Sequence, residues 1–472
     1  MKRHTILKSV ALAACLGLTC ACQDFLTVEQ KGRTTIPVFL SYPEGLNAGL
    51  VGTYKKTYDY LDNEMMKYGD VAGNMLTMRY AGSATDMLSQ YNYVSNATEE
   101  TGAVGYIWRR TLEALANANN IIQYQPEVLA NYPQKAVQLN QILGQALALR
   151  ALCHFDLCRV YAQAYCYTPD ASHLGVPVLL KAQGPNDNPS RQSVADVYQQ
   201  ILADLDEAAR LLADYHLGHE TDIYHFSFES VQAFRARVCL YKQDWQQALE
   251  LASSIADKFP LAEEEEYLKM FRTFTEPGEV LLRLCGEEQS GKLKPFYDQT
   301  AVPADTLLGL FEPDDLRLQL LQKDGQKYVC KYLVTNATDT KRDDPMILRA
   351  SEMYLTAAEA ACQLGDYPKA RNYLQPILER AVDLSYAMEV LDSTPDGEDL
   401  MELILRERTK ELCFEGHCLF DLTRRGQSLV REASTNSTMH ALTWPNDRFV
   451  LPLPETELNA NLNMQGNPTV NQ

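Results

Sequence analysis

Apolar residues recur at three- and four-residue steps along most of the chain, the spacing of one face of an α-helix. This periodicity predicts helices over 43–60, 104–123, 137–162, 192–213, 228–241, 244–258, 348–364, 367–381 and 399–415. Some ends are marked. Ser193 precedes "VADVYQQILADLDEAARLL" with Asp196 in the first turn, as a helix N-cap should. Gly365 follows a periodic segment and reads as a C-terminal stop.

Two predicted helix pairs resemble each other. In "SVQAFRARVCLYKQDWQQALELASSIADKFP" and "ASEMYLTAAEAACQLGDYPKARNYLQPILERA", Ala236 and Ala358 precede Ala248 and Ala370 by the same twelve residues. An aromatic, Trp245 or Tyr367, lies three before the second Ala. Small residues let helices approach closely and the aromatic fills the groove between them, the logic of a tetratricopeptide unit. About a hundred residues separate the pairs, which argues against a simple tandem solenoid. Between them, 262–347 is rich in Pro, Gly and Asp, with β-branched pieces such as "EVLLRL" and "KYVCKYLV". It reads as a loop-rich subdomain with a few short strands, inserted into a mainly α, tetratricopeptide-like scaffold.

The N-terminus, "MKRHTILKSVALAACLGLTCACQDFL", has a basic start and an apolar run too short to span a bilayer. That is the layout of a secretory signal peptide. Ala21 directly precedes Cys22, and Gln23 and Asp24 follow, so the site resembles a bacterial lipobox, although Thr19 stands three before the Cys. The expected divisions are a signal peptide over 1–21, a lipid-anchored flexible arm over 22–37, helical parts over 38–261 and 348–472, and the insert over 262–347.

Charge narrows the partners. The net charge is −19, and removing the leader takes away Lys2, Arg3 and Lys8 as well. So acidic a chain repels nucleic acid and anionic headgroups. Nine cysteines follow Cys22, an odd number that makes no disulfide framework. Cys153/Cys158 and Cys413/Cys418 are five apart, unlike the two-residue gaps of zinc sites, so buried thiols are expected and no metal.

Blocks along nearly the whole chain resemble, in order, those of the SusD/RagB family of Bacteroidetes outer-membrane lipoproteins. They are "CQDFL", "GYIWRRTLEALANANNII" with Trp108 and Asn119, "ALALRALCHFDLCRVYAQAY" with Arg150-Ala151, and "RQSVADVYQQILADLDEAARLL". "ILRERTKELCFEGHCLFDLTRRG" carries Glu407, Arg408, Glu411, Leu412, Phe414, Glu415, Gly416, Phe420, Asp421, Leu422 and Arg424, and "RFVLPLPETELNANLNMQGNP" resembles the family's C-terminal ending. Arg425 stands where the family often has Trp, and Cys418 where it usually has Arg. The resemblance implies a SusD-like fold and a surface lipoprotein anchored through Cys22. Such a protein captures oligosaccharides, or peptides in the RagB-like branch, and delivers them to a SusC-like TonB-dependent transporter.

Enzymatic chemistry finds no support. Glu407, Arg408, Glu411 and Glu415 fall at helical steps, but inter-helix ion pairing explains them better than acid–base catalysis. The run Glu263–Glu266 reads as a solvated helix start. Cys153 and His154 are helix neighbours that diverge, and His154 and Asp156 point to different faces. No HExxH, Walker, GxSxG or dinucleotide motif occurs, so neither enzyme activity nor a cofactor is expected.

Sugar rings favour aromatic platforms with polar edges. Trp108 and Trp245 are accounted for by helix packing, which leaves Trp444 in a loop. The loop 79–93 offers Arg79, Tyr80, Asp86, Tyr91, Asn92 and Tyr93, and the insert offers Phe296, Tyr297, Tyr328 and Tyr332. These are the candidate ligand residues, for an oligosaccharide or alternatively a peptide. A scaffold without a small ligand is the third reading.

Overall fold

The computed structural model describes residues 35–79, 86–218, 223–273, 278–287, 291–332 and 342–468. Its principal helices are α1 (Pro43–Tyr60), α2 (Ala103–Asn131), α3 (Ala136–Tyr161), α4 (Val194–Leu211), α5 (Phe228–Lys242), α6 (Trp245–Ala256), α7 (Ala350–Gln363), α8 (Tyr367–Ala381), α9 (Leu384–Ser393) and α10 (Glu398–Leu412). The fold is mainly α. Among the described residues no helix is long and apolar enough to cross a membrane.

Each of α1 to α8 packs against the next helix in the chain, and α10 packs on α7 and α8. The contact of α6 with α7 matters most. It stacks the two similar helix pairs directly on each other, although about a hundred residues separate them in sequence. The intervening segment leaves the stack after α6 and returns at α7, so the repeats form a continuous scaffold after all. Ala236, Ala248, Ala358 and Ala370 are all fully buried, as close helix approach requires. The two turns match in detail. Asp244 and Asp366 accept backbone N–H groups of Gln247 and Lys369, at 3.4 and 3.2 Å. The residues before them, Gln243 and Gly365, share a left-handed conformation at φ 62° and 78°.

Capping follows the sequence elsewhere. Ser193 Oγ accepts the Asp196 N–H at 3.1 Å and starts α4, with the Asp196 carboxylate accepting the Ser193 N–H in return. Helix α2 runs past the predicted end at 123 and through Pro126. Gln125 and Val128 extend its buried face, and Gln125 Nε2 donates to Leu139 O of α3.

The strands are short. β1 (Leu76–Met78) pairs with β3 (Ala301–Pro303), and β2 (Val280–Arg283) pairs with β6 (Met346–Arg349), both antiparallel. β4 (Gln322–Lys323) and β5 (Gln326–Lys327) form a hairpin, and β7 (Leu429–Val430) pairs with β8 (Ala441–Leu442). "EVLLRL" thus contains a strand, whereas most of "KYVCKYLV" does not. The segment 262–347 also holds the helix Glu264–Arg272, which begins at the acidic run expected to start a helix, and the short helices Leu293–Gln299 and Asp305–Leu308, where the sequence reads as loop. Leu281, Leu282, Phe296 and Tyr297 of this segment lie in the same hydrophobic core as the scaffold helices.

Candidate functional site

The family signature folds into a buried charge network. Glu411 receives Arg349 Nη1 at 2.6 Å and Arg380 Nη2 at 2.7 Å. Glu407 receives Arg317 Nη2 at 2.7 Å, and Glu415 receives Arg349 Nε at 2.9 Å and Lys331 Nζ at 2.5 Å. Burial pushes the Glu411 carboxyl up, but Arg380, Arg349 and Arg317 outweigh it and hold it well below the usual carboxylate range. A carboxylate so held is a poor proton donor near neutral pH. The network joins α10 to α8, to the end of β6 and to the segments around 317 and 331. Glu415 lies beyond the end of α10, past Phe414 at φ 63°, so it reaches the network from a turn and not from the helical face expected. Arg408 leaves that face too and pairs with Asp421 at 3.0 Å. Arg424 grips Glu359 with both terminal nitrogens, at 2.6 and 2.7 Å.

Five of the eleven predicted ligand residues, Tyr91, Tyr93, Phe296, Tyr297 and Tyr332, belong to the core, which corrects the sequence reading for them. Tyr91 ends a short helix, Leu88–Tyr91, and is fully buried. Its hydroxyl meets Thr435 and Asn436, and Arg431 lies 4.5 Å from its ring centroid. Tyr93 is buried and donates to Ala72 O. Asn92 Oδ1 accepts the Thr438 N–H at 2.8 Å. Tyr297 stacks on Tyr332 with centroids 5.4 Å apart, and their hydroxyls donate to Asp70 and to Phe414 O. Phe296 is buried beneath the Lys67 ammonium. These rings have their faces covered and their hydroxyls satisfied, so they offer a ligand no platform.

The remaining candidates lie at or near the surface. Asp86 accepts Lys67 Nζ at 2.7 Å with half its side chain exposed. Arg79 and Tyr328 come together, the guanidinium carbon 5.8 Å from the ring centroid. Trp444 is half-buried. Tyr80 and Cys22 lie outside the described residues.

An open cleft of about 390 Å³ runs between the segments 93–98 and 447–452. Tyr68, Tyr93 and Val94 are among the residues that line it, and Gln90, Asn96, Asp447 and Arg448 supply polar edges. Local hydrogen bonds shape both walls. Gln90 Nε2 donates to Ser95 Oγ and Glu99 Oε2, at 2.8 and 3.0 Å, and Asn96 Oδ1 accepts the Thr98 N–H at 2.9 Å. Asn446 Oδ1 accepts the Arg448 N–H at 3.0 Å and caps the turn Asp447–Phe449. The Glu455 N–H donates to Ala97 O at 2.8 Å and ties one wall to the other.

Edge-to-face and tilted ring contacts lead from this cleft to the surface. Tyr93 meets Phe449 at 6.1 Å, Phe449 meets Trp444 at 5.6 Å, and Trp444 meets Tyr167 at 6.2 Å. Tyr167 is 37% exposed. Gly426, at φ 64°, makes room for the indole, since a Cβ there would lie 3.1 Å from Trp444 Nε1. The sequence reading missed Tyr167, Gln90, Asn96 and Arg448. Only Tyr167 had a local signal, as an aromatic in the polar stretch after α3.

Comparison with known proteins agrees with this architecture. A family model described as the SusD family matches residues 323–469, and another, described as starch-binding associating with outer membrane, matches 24–240. SusD-like protein P38 of Formosa agariphila is 23% identical, over 94% of this chain and 96% of its own. A SusD superfamily protein from Bacteroides thetaiotaomicron superposes with a TM-score of 0.81 at 25% identity, covering 91% of this chain and all of that one. A putative sugar binding protein from Bacteroides vulgatus does so with a TM-score of 0.79 at 26% identity, covering 90% and 98%.

Proposed function

The chain belongs to the SusD/RagB family, and on that premise we propose that it is a surface lipoprotein that captures oligosaccharides for a SusC-like TonB-dependent transporter. Carbohydrate binding and outer-membrane association are the family's properties, and a sugar is what the similar B. vulgatus protein is described as binding. The observation that carries the oligosaccharide reading is the cleft between the segments 93–98 and 447–452. It is about 390 Å³ in volume, within the range of small-molecule sites, and its edges carry amide, carboxylate and guanidinium groups. Such edges suit the hydroxyls of a sugar, and the nearby Trp444–Tyr167 pair provides a face on which a ring can stack. Cys22 would hold the protein at the membrane, and the arm 22–37 would give it slack to move on the transporter.

The test is calorimetry of the full-length protein in detergent against a panel of oligosaccharides. Arg448→Ala with Asn96→Ala should weaken binding about tenfold or more, because each lost hydrogen bond to a charged or amide group is worth on the order of 1 kcal/mol or more. Binding that survives unchanged in this variant would remove the cleft from the proposal. Peptides that bind where no saccharide does would overturn the oligosaccharide reading in favour of the peptide branch.

A further inference from the structure

Tyr328 follows the β4–β5 hairpin, and Arg79 directly follows β1. The Arg79 N–H donates to Thr300 O at 2.7 Å, and Nη2 reaches across to Lys327 O at 3.2 Å. This sets the guanidinium over the half-exposed Tyr328 ring. Lys323 of the hairpin places its ammonium 5.3 Å from the centroid of the same ring. The ring itself is tethered through its hydroxyl, which donates to Asp298.

The charges around this ring are unevenly matched. Lys327 pairs with Asp305 at 2.6 Å, Lys294 with Asp298 at 2.5 Å and Lys67 with Asp86 at 2.7 Å. Among the described residues, Arg79 and Lys323 form no ion pair, and both side chains belong to exposed residues. Two cations on one aromatic ring also repel each other. On a chain of net charge −19, ample carboxylate exists to neutralise them, yet among the described residues none comes within ion-pair distance.

We propose that Arg79, Lys323 and Tyr328 form a subsite for an anionic group, so that the saccharide this protein captures carries carboxylate or sulfate. The inference rests on the oligosaccharide reading above and names the ligand's chemical class. Arg79 offers a planar fork of donors to an oxyanion, and Lys323 offers a compact charge held by the same ring. Tyr328, tethered through its hydroxyl to Asp298, holds the two cations in one place. The anion relieves the repulsion between the two cations, which an uncharged saccharide does not. The site has a second consequence. The net negative charge of the protein repels a polyanion at long range, so a local pair of uncompensated cations is what an acidic glycan needs in order to bind.

The experiment titrates full-length protein in detergent with four hexamers at low salt. These are oligogalacturonate, a sulfated galactan, maltohexaose and hexaglutamate. The variants are Arg79→Gln with Lys323→Gln, and Arg79→Lys with Lys323→Arg. One acidic hexasaccharide should bind at least tenfold tighter than maltohexaose and lose that advantage in 0.5 M NaCl, where screening shortens to a few ångströms. Preference for the uronate or for the sulfate supports the subsite and identifies the group. The double Gln variant should abolish the advantage at an unchanged melting temperature, and the charge-preserving variant should keep most of it. Equal binding of neutral and acidic saccharides, or an advantage that survives the double Gln variant, overturns the subsite and leaves oligosaccharide capture standing. Binding of hexaglutamate alone, or of no hexasaccharide, overturns both.

Discussion

Glu411→Gln tests the buried charge network with almost no change of shape. The substitution removes one negative charge from a carboxylate that holds Arg349 at 2.6 Å and Arg380 at 2.7 Å, with Arg317 at 3.5 Å. All four residues are buried. The guanidiniums keep other partners, since Arg349 and Arg380 both reach Glu279 and Arg317 reaches Asp315 and Glu407. They nevertheless lose the carboxylate that the three share. Removing one partner of a buried pair costs about 3–5 kcal/mol, because the opposite charge stays buried without compensation. That is a large part of a typical total stability of about 5–15 kcal/mol. A domain of this size shifts by roughly 1–2 °C per kcal/mol, so the melting temperature should fall by about 3–10 °C. The pH dependence fixes the cause. The folded-state carboxyl of Glu411 is depressed, so its contribution is fully present above the unfolded value of about 4.3 and is lost as pH falls toward the folded value. Urea unfolding of wild type and variant should therefore show a constant gap from pH 6 to 8 that narrows only below about pH 4. A loss under about 1 kcal/mol at pH 7 would refute the reasoning, because it would mean that the network gains no more than a surface pair does. A gap that widens on acidification would refute it as well.

Metabolic labelling with a clickable fatty acid should tag wild type and leave Cys22→Ala unlabelled, and equal labelling would remove the anchor from the proposal. Affinity purification from outer membranes in mild detergent should recover a large β-barrel transporter in equal amount, through an interface of more than about 1,000 Å². Recovery of the lipoprotein alone would count against the transport reading. Tyr91→Ala should lower stability by about 3–5 kcal/mol, as expected for a buried ring, whereas a change in saccharide affinity at unchanged melting temperature would restore Tyr91 as a ligand contact.

Helices α1 and α8 run over the predicted spans 43–60 and 367–381, because their apolar steps and their boundary signals are local. Helix α9 was missed although it carried the same kind of signal. Asp383 caps it, accepting the Ser385 N–H at 2.9 Å, and Leu384, Ala387 and Leu391 recur at helical steps. The family signature was legible as a salt-bridge motif, and its carboxylates do pair with buried arginines. Their partners Arg317, Arg349 and Arg380 could not be chosen from the sequence, because one charge can pair with any other that the fold brings near.

The candidate site was far less legible. Tyr91 and Tyr93 stand in a stretch without clear periodicity, and nothing local tells a loop tyrosine at the surface from one folded inward. Burial there depends on Arg431, Thr435 and Ala72, up to some 340 residues away in the chain. The pairing of Arg79 with Tyr328 joins residues 249 positions apart, and the cleft joins 93–98 to 447–452.

The sequence by itself determined the helical class, most helix positions, the likeness of the two helix pairs and the family, all of which depend on neighbours within a few turns or on ordered motifs. Only the tertiary structure decided that α6 stacks on α7 across the long segment between them, which tyrosines are core, and which cations gather around Tyr328. The physical reason is range. Helix propensity and capping act over about four residues, whereas packing and charge pairing act through space between segments whose separation along the chain carries no record of their distance.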